Sequence, residues 1–253
     1  MMQDKVLTDE VDGVGIITLN RPESLNALDN ELSDSFTEAV EQMNRSRSVR
    51  CLVVTGAGRG FCSGGDLNSS QVISDTARHM TMESREENLF HHMESVRLLH
   101  DMDKPAIAMI NGPVAGAGIG IAGACDVRFA STDAVFKSAF LDVGLSGDYC
   151  ATFFWTQILG ARARDLFFSS EKLSAERAFE MGLYNRLYQP GELREQTLSY
   201  ARKLAMASPA ALKYLKRNLN AAEHLSIDAM RKQEAVHSVM SAKAMIDARA
   251  RKS

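Results

Sequence analysis

The sequence predicts an α/β fold, because strand-like and helix-like segments alternate along its first two thirds. Short runs rich in β-branched and apolar residues occur at 14–19, 51–55 and 106–110, and a helical run separates the first two. The second and third runs lead directly into glycine-dense segments, which suits loops between the strands and helices of such a fold. With 253 residues, 45% of them hydrophobic, the chain can bury a core without disulfides or a metal.

The spacing of apolar residues and the helix-capping residues predict the individual strands and helices. The strand at Val14–Leu19 ends in a turn at Pro22, and Asp29 or Asn30 then caps a helix. The apolar residues of that helix recur three to four positions apart, at Leu28, Leu32, Phe36, Ala39, Val40 and Met43. The run at 51–55 is apolar throughout, as expected of a strand with helices on both faces.

The remaining chain is predicted to be largely helical. A helix is expected within 70–103, a fourth strand at Asp126–Ala130, and mainly helices from about residue 150, with breaks at Pro190 and Pro209. No linker or low-complexity segment divides the chain, so we expect one domain unit with a C-terminal helical subdomain.

Composition argues against several classes of protein. The net charge is −3 with scattered basic residues, so no nucleic-acid partner is expected. The polar start of the chain is unlike a signal peptide, and the four cysteines are widely spaced, so we expect reduced thiols, no metal site and a cytoplasmic protein. The apolar stretch at 105–125 is broken by Pro113 and flanked by charges, so no membrane span is expected.

The glycine-rich stretch NGPVAGAGIGIAGACD at 111–126 admits three interpretations. Gly118 to Gly123 formally matches a dinucleotide-binding fingerprint, with Asp142 at a suitable distance. However, seven residues separate Gly118 from the end of the preceding strand. Small residues could also serve only to pack a helix closely on a sheet. The third interpretation explains why a second glycine-dense loop, at 56–66, follows another strand: two backbone N–H groups converge to form an oxyanion hole.

Five motifs in register resemble the crotonase superfamily, the enoyl-CoA hydratase/isomerase family. They are RPESLNAL at 21–28, FCSGGDL at 61–67, KP at 104–105, NGPVAGAG at 111–118 and CD at 125–126, and the resemblance continues to about residue 183. It implies a spiral of repeated ββα/βαβ units, with an acyl-CoA-binding core at 1–195 and a helical trimerisation region at 196–253. It also implies an acyl-CoA thioester as substrate, no cofactor beyond coenzyme A itself, and assembly as a homotrimer or hexamer.

The resemblance also assigns roles to residues. The oxyanion-hole N–H groups would be those of Gly65 and Ala117. Residues placed to contact the substrate or coenzyme A are Ser24, Leu25, Ala27, Ser63, Gly64, Asp66, Leu67 and Phe140. Asp66 could instead cap the following helix. Basic residues such as Arg59 or Lys216 could meet the coenzyme A phosphates.

The sequence departs from the family pattern at the two glutamates with which hydratases add water. Gly120 and Phe140 stand in their places, and neither can transfer a proton. Asp148 follows slightly later, where branches of the family place an aspartate that shuttles protons, attacks carbon or assists ring closure. Burial among Phe140, Tyr149, Phe153 and Phe154 would raise its pKa toward neutrality. The alternative is that Asp148 caps a helix over 151–159.

The expected function is therefore double-bond isomerisation of an enoyl-CoA by Asp148, with the enolate oxygen held by Gly65 and Ala117. A hydratase with changed chemistry, or a hydrolase or dehalogenase using Asp148 as nucleophile, remains the alternative. For the dehalogenase, His91 or His92 would activate water, although His79, His91, His92 and His100 could all be surface residues. Met80, Met82, Met93 and Met102 could form a wall of the acyl pocket. A catalytically silent acyl-CoA- or RNA-binding relative and a dinucleotide-dependent oxidoreductase are more distant options.

Overall fold

The computed structural model describes residues 4–67 and 79–250, and it is built around a six-stranded sheet. The strands of this sheet are β1 (Val6–Val11), β2 (Val14–Leu19), β3 (Cys51–Gly56), β4 (Ala106–Ile110), β6 (Val127–Ser131) and β9 (Arg186–Tyr188), in that spatial order. A smaller sheet contains β5 (Val114–Ala115), β7 (Val135–Lys137) and β8 (Leu173–Ser174). The four predicted strands lie in the large sheet, and β6 begins one residue later than expected.

Every pair in the large sheet is parallel except the first. β1 and β2 form an antiparallel hairpin around Asp12 and Gly13, whose φ angles are 53° and 77°. Left-handed backbone at both turn positions is what an Asp-Gly hairpin turn requires. The sequence prediction missed β1, although the Asp-Gly pair ahead of the β2 run was a usable signal.

Ten helices connect and cover the sheets in the described part of the chain. Their bounds are α1 (Asn30–Arg45), α2 (Met82–His92), α3 (Glu94–Asp101), α4 (Ala117–Ala124), α5 (Ala151–Leu159), α6 (Ala163–Ser169), α7 (Ala175–Glu180), α8 (Pro190–Ala205), α9 (Pro209–Ala221) and α10 (Ile227–Ala250). Asp29 caps α1 as predicted, because its carboxylate accepts the Leu32 N–H at 2.8 Å. The start of the helical region predicted at 70–103 lies outside the described residues.

The core has two parts, one on each face of the large sheet. The larger joins the sheet to α1, α3, α4 and α5, and the smaller lies under α8. Strand β3 is buried along its whole length between these layers, which explains its continuously apolar sequence. The boundary predicted at residue 195 falls inside helix α8, which packs on the sheet. The role of 196–253 in trimerisation stays a prediction.

Lys216 belongs to the fold and not to a phosphate site, so the prediction that it could meet coenzyme A phosphates is wrong. Its side chain is 5% exposed, and its Nζ donates to the carbonyls of Leu99 at 2.9 Å and Lys104 at 3.1 Å. The same Nζ lies 2.9 Å from Oδ2 of Asp126, which also accepts the Ala106 N–H. An ammonium that uses its donors on buried acceptors is not available to a ligand.

The sequence predicts neither a membrane span nor a metal site, and the structure bears on these two predictions over residues 4–67 and 79–250. No helix in this part of the chain is long and apolar enough to span a membrane. All four cysteines carry free thiols, and residues 4–67 and 79–250 contain no group of three or more His, Cys, Asp or Glu side chains that could hold a metal ion.

Candidate active site

The two glycine-dense loops lie side by side at the ends of β3 and β4. The Phe61 N–H donates to the carbonyl of Pro113 at 3.0 Å, and the Ala115 N–H donates to that of Cys62 at 2.9 Å. These bonds join two loops that are about fifty residues apart in sequence. The convergence predicted from two successive strand-to-loop junctions is therefore present.

Two asparagines hold the carbonyl groups of the loop at 56–66, which we call the first loop because it precedes the stretch at 111–126 in the sequence. Nδ2 of Asn26 donates to the carbonyls of Gly60 at 2.8 Å and Ala57 at 3.0 Å, and Nδ2 of Asn111 donates to those of Gly58 at 3.0 Å and Gly60 at 3.1 Å. A side-chain amide suits this position because it supplies donors to a loop that lacks strand partners. In the sequence, Asn26 and Asn111 were recognised only as members of the motifs at 21–28 and 111–118, and their role in holding the loop was not predicted.

Gly64 permits the close approach of the two loops. Its φ is +102°, and a Cβ there would lie 3.3 Å from Cα of Gly116 and 3.5 Å from N of Ala117. Gly65 differs, because a Cβ at that position would meet nothing within 4 Å and would point into open space. Glycine at 64 therefore brings the backbones together, and glycine at 65 leaves room above them.

The N–H groups of Gly65 and Ala117 are available to a ligand oxygen. Neither has an acceptor in residues 4–67 and 79–250, and Ala117 is the first residue of α4, where a helix leaves its N–H groups unpaired. Both residues line one cavity of about 190 Å³. Two such donors on residues that line one cavity are what an oxyanion hole requires.

Asp148 lies in the wall of the same cavity. Its Oδ1 is buried without a hydrogen-bond partner among the described residues, and burial raises the pKa of this carboxyl to about 6. The side chain does not cap α5, because the cap residue is Cys150 and only the backbone carbonyl of Asp148 accepts an N–H, from Ala151 at 3.0 Å. The alternative of a helix-capping Asp148 is therefore wrong.

An unusual turn presents this carboxylate. The φ angles of Gly147, Tyr149 and Cys150 are 112°, 46° and 53°, a left-handed backbone that non-glycine residues rarely adopt. The buried Tyr149 hydroxyl is 3.2 Å from Oγ of Ser33, and this contact ties the turn to α1. Non-glycine residues in this conformation cost about 1–3 kcal/mol each, and such strain clusters at functional sites.

Gly120 is the residue that accommodates this turn. A Cβ at Gly120 would lie 2.4 Å from the carbonyl oxygen of Tyr149 and 2.6 Å from its Cβ. The position where hydratases carry a glutamate is therefore not simply missing its carboxylate. The backbone that carries Asp148 occupies the space where a side chain from 120 would begin.

The aromatic surroundings of Asp148 are only partly those predicted. Phe140 and Tyr149 line its cavity, and Phe140 stacks on Phe167 with ring centroids 6.2 Å apart. The predicted contribution of Phe153 and Phe154 is wrong, because their rings pack on His100, outside the cavity. Alternate positions along α5 face different sides of the helix, which sequence proximity to Asp148 did not reveal.

The helix α2 supplies a polar wall that sequence reasoning described incorrectly. None of the four methionines proposed for the acyl pocket lines this cavity; the residues from α2 are Arg85, Asn88, Leu89 and His92. The surface interpretation fails for His92, which is 8% exposed with Nε2 3.2 Å from Oδ1 of Asp34. Burial lowers its pKa more than the nearby Asp34 raises it.

The other three histidines named from the sequence, His79, His91 and His100, lie outside the cavity. His79 is exposed, and so is the His91 side chain, whose Nε2 is 3.6 Å from the Asp34 carboxylate. His100 pairs with Asp101 and Glu223. Of the two histidines proposed as water activators, only His92 faces the site.

The predicted contacts with substrate or coenzyme A divide into two groups. Ser63, Gly64, Leu67 and Phe140 line the cavity, whereas Ser24, Leu25 and Ala27 do not. The second group lies behind the first loop, where Ser24 accepts a hydrogen bond from Oγ of Ser63 at 3.1 Å and Leu25 accepts one from its N–H at 3.0 Å. Their contact with coenzyme A stays a prediction.

Charged residues near the loop have separate partners. The Asp66 carboxylate lies 3.1 Å from Nη2 of Arg21, and the helix that Asp66 was proposed to cap lies outside the described residues. Arg59 is exposed, as a residue contacting a phosphate would be. Its predicted role stays open.

Comparison with known proteins identifies the family to which this chain belongs. The sequence profile of enoyl-CoA hydratase/isomerase matches residues 9–250. The chain belongs to the enoyl-CoA hydratase/isomerase family. The resemblance to the crotonase superfamily seen in the sequence motifs is thereby confirmed.

Members of the family similar to this chain differ in the reaction they are named for. The 1,2-epoxyphenylacetyl-CoA isomerase of Escherichia coli is 35% identical over 228 residues, covering 90% of this chain and 86% of the relative. The 4-chlorobenzoyl coenzyme A dehalogenase-1 of an Arthrobacter species is 31% identical over 214 residues, covering 84% and 76%.

A solved structure supports the same family fold. The enoyl-CoA hydratase from Polaromonas sp. JS666 aligns with a TM-score of 0.83 and 30% identity, over 92% of this chain and 90% of that one. Membership of the enoyl-CoA hydratase/isomerase family therefore fixes the fold, while the reaction has to be argued from the side chains in the cavity.

Proposed function

We propose that this enzyme moves a carbon–carbon double bond within an enoyl-CoA thioester, with Asp148 as the proton shuttle. The observation that carries the proposal is the buried, unpartnered Oδ1 of Asp148 in the cavity that Gly65 and Ala117 also line. A carboxylate with a pKa of about 6 can both accept and return a proton near neutral pH.

The reaction needs one base and one oxyanion hole. In a 3-enoyl thioester, Asp148 would take a proton from the carbon next to the carbonyl, and the electron pair would delocalise onto the thioester oxygen. The N–H groups of Gly65 and Ala117 would hold that oxygen, each being worth about 3 kcal/mol of the barrier in comparable sites. Asp148 would then return the proton two carbons further along, which leaves a 2-enoyl thioester and an unchanged enzyme.

This proton balance requires no cofactor other than the coenzyme A moiety of the substrate. It also explains why one carboxylate suffices, whereas addition of water is served by a second acid or base. The positions of both hydratase glutamates support this difference, because Gly120 has no room for a side chain and Phe140 is apolar. Assembly into trimers or hexamers, as the family resemblance implies, remains part of the proposal.

The direct test compares 2-enoyl and 3-enoyl thioesters with the wild type and the Asp148→Asn variant. We expect interconversion of the two by the wild type, loss of turnover in the variant and retained thioester binding. Asp142→Asn is the matched control, since Asp142 lies on the same segment, exposed and paired with Lys137 outside the cavity. Full turnover by Asp148→Asn would overturn the proposal.

An isotope experiment tests the shuttle itself. With deuterium at the carbon next to the carbonyl, a single buried base should carry part of the label to the carbon two positions further along. Complete loss of the label to water under single-turnover conditions would argue for two separate acid–base groups or for a carboxylate open to solvent.

His92 favours one second candidate, hydrolytic dehalogenation of an aryl-CoA. Asp148 would displace halide from a ring carbon, and His92, in the same cavity and held by Asp34 at 3.2 Å, would deprotonate the water that hydrolyses the resulting aryl ester. Hydrolysis in heavy-oxygen water distinguishes this route, because one Asp148 carboxylate oxygen would end up in the product during a single turnover. The isomerase leaves no label in Asp148 or in its product.

A further inference from the structure

A second apolar cavity lies next to the one that contains Asp148. It has a volume of about 440 Å³, and we call it the α5–α6 cavity because half of its lining residues come from these two helices. Its walls include Thr152 and Thr156 of α5, and Phe167 and Phe168 of α6. The proposed reaction does not use this space.

The two cavities share Phe140 and Leu145 as wall residues. The Phe140 ring is 5% exposed and stacks on Phe167, with centroids 6.2 Å apart and planes at 25°. The turn that carries Asp148 also meets this ring, because a Cβ at Gly147 would lie 3.5 Å from Cγ2 of Thr152 and 3.9 Å from Cδ2 of Phe140. Phe140, together with Leu145, therefore forms the partition between the Asp148 cavity and the α5–α6 cavity.

The size of the Asp148 cavity limits what it can hold alone. An apolar cavity of about 150 Å³ accommodates one benzene ring, and the Asp148 cavity measures about 190 Å³. This volume must take the thioester carbonyl and the reacting carbons before any further part of the acyl group. A longer alkyl chain or an aryl substituent needs additional apolar space.

We propose that the α5–α6 cavity binds the distal, apolar end of the acyl group, either a medium-length alkyl chain or an aryl ring, with Phe140 as the specificity-determining residue. The inference rests on the proposed acyl-CoA function and adds a substrate class to it. An apolar occupant suits the lining, because its large apolar side chains outnumber its polar ones. The apolar side chains are those of Phe140, Leu141, Leu145, Phe167 and Phe168, and the polar ones are those of Ser146, Thr152, Thr156 and Arg164.

Equilibrium binding of saturated thioesters tests the inference separately from the reaction, since a saturated acyl group has no double bond to move. We would titrate butanoyl-CoA and decanoyl-CoA into the wild type, Thr156→Trp and Gln157→Trp. Thr156 lines the α5–α6 cavity and is exposed at its rim, whereas the neighbouring Gln157 is exposed and lines neither cavity. Melting temperatures of all three proteins establish that they fold alike.

Indole at position 156 should fill the cavity from its rim. Each methylene that loses its apolar site weakens binding by about fourfold, so Thr156→Trp should weaken decanoyl-CoA binding by about tenfold or more. Butanoyl-CoA should change by less than about twofold, and Gln157→Trp should leave both affinities unchanged. Phe140→Ala should shift the decanoyl-to-butanoyl ratio of affinities in the opposite direction, because it removes the partition.

The possible failures are distinguishable. If Thr156→Trp weakens the binding of both thioesters equally, or weakens neither, the acyl-end inference is overturned and the proposed isomerase is unaffected. A selective loss of decanoyl-CoA in an enzyme that fails to move any double bond would support the inference and overturn the isomerase. Failure of both thioesters to bind the wild type would overturn both.

Discussion

Asp148 and Asp126 are two aspartates beside glycine-rich segments, but the fold treats them in opposite ways. Oδ2 of Asp126 accepts the Ala106 N–H at 2.7 Å and lies 2.9 Å from Nζ of Lys216. Oδ1 of Asp148 is buried with no partner in the described residues. The first carboxylate joins Lys216 of α9 to the first residue of β4, whereas the second has no such partner and costs stability.

A structural carboxylate differs from a functional one in its hydrogen-bond and ion-pair partners, and burial alone does not distinguish the two. A charged group that has lost its water needs hydrogen bonds or an ion pair, and a fold that supplies neither retains an expensive group. Such a group is a candidate for chemistry when it also faces a cavity. Asp148 meets both conditions.

The largest predicted effect separates the two aspartates in one experiment. Asp148→Asn should lower kcat by about 10³-fold, because it removes the base proposed for the isomerisation. Asp126→Asn should leave kcat within about twofold and instead lower the free energy of unfolding. Kinetics and chemical denaturation of both variants check this. If Asp126→Asn inactivates a folded enzyme, or Asp148→Asn remains active, the division between the two carboxylates is wrong.

Lys216→Met tests the structural side of the comparison. The substitution leaves the Asp126 carboxylate and the carbonyls of Leu99 and Lys104 without their shared donor. We expect a loss of about 3 kcal/mol in the free energy of unfolding, because breaking a buried pair leaves an uncompensated charge. The KM for an acyl-CoA should be unchanged, in contrast to the expectation from sequence alone.

The control for this variant is Lys213→Met. Lys213 pairs with Asp103 at 2.8 Å, with both side chains about a third exposed. An exposed pair of this kind contributes at most about 1 kcal/mol. Equal destabilisation by the two substitutions would show that burial of Lys216 is not the cause.

pH should act on the functional carboxylate. Burial raises the pKa of Asp148 to about 6, from about 3.9 in an unfolded chain, so the folded state binds the proton more tightly. This contribution to stability is present below about pH 4 and is lost as the pH rises through about 6, a change of about 2–3 kcal/mol. The kcat/KM should rise over the same range as the carboxylate forms.

The measurement is the difference between the wild type and Asp148→Asn in unfolding free energy from pH 4 to pH 8. The difference is needed because His92 acts in the opposite sense: burial lowers its pKa, so its contribution is lost as the pH falls. We expect Asp148→Asn to be the more stable protein at high pH, with the advantage vanishing at low pH. An advantage independent of pH would contradict the raised pKa.

The sequence predicted the fold and the backbone donors of the site better than it predicted the positions of the surrounding side chains. Strand runs, caps and glycine loops are local patterns; two family motifs contain Gly65 and Ala117, and the resemblance to branches of the family pointed to Asp148. The partners of Lys216, the orientation of Phe153 and Phe154, and the position of His92 depend on contacts between segments far apart in sequence. Helical period could not choose among them, because α2 and α5 each expose more than one face to neighbouring elements.

The smallest predicted effect concerns Gly120, where the sequence showed an absence and the structure gives its cause. A methyl group at 120 would lie 2.4 Å from the carbonyl oxygen of Tyr149, so Gly120→Ala must displace the turn that carries Asp148. We expect a loss of about 2 kcal/mol in the free energy of unfolding, together with a lower kcat. Gly65→Ala is the control, because its methyl group would meet nothing within 4 Å.

Stability should therefore be nearly unchanged in Gly65→Ala, while binding of the thioester at the crowded oxyanion hole weakens. If Gly120→Ala proved as stable and active as the wild type, the Tyr149 turn would be adaptable, and a glutamate at 120 could be accommodated. Hydratase chemistry would then have been lost by substitution alone. If the prediction holds, the turn that buries Asp148 and the glutamate of a hydratase compete for one space, and the choice between them is made by the backbone.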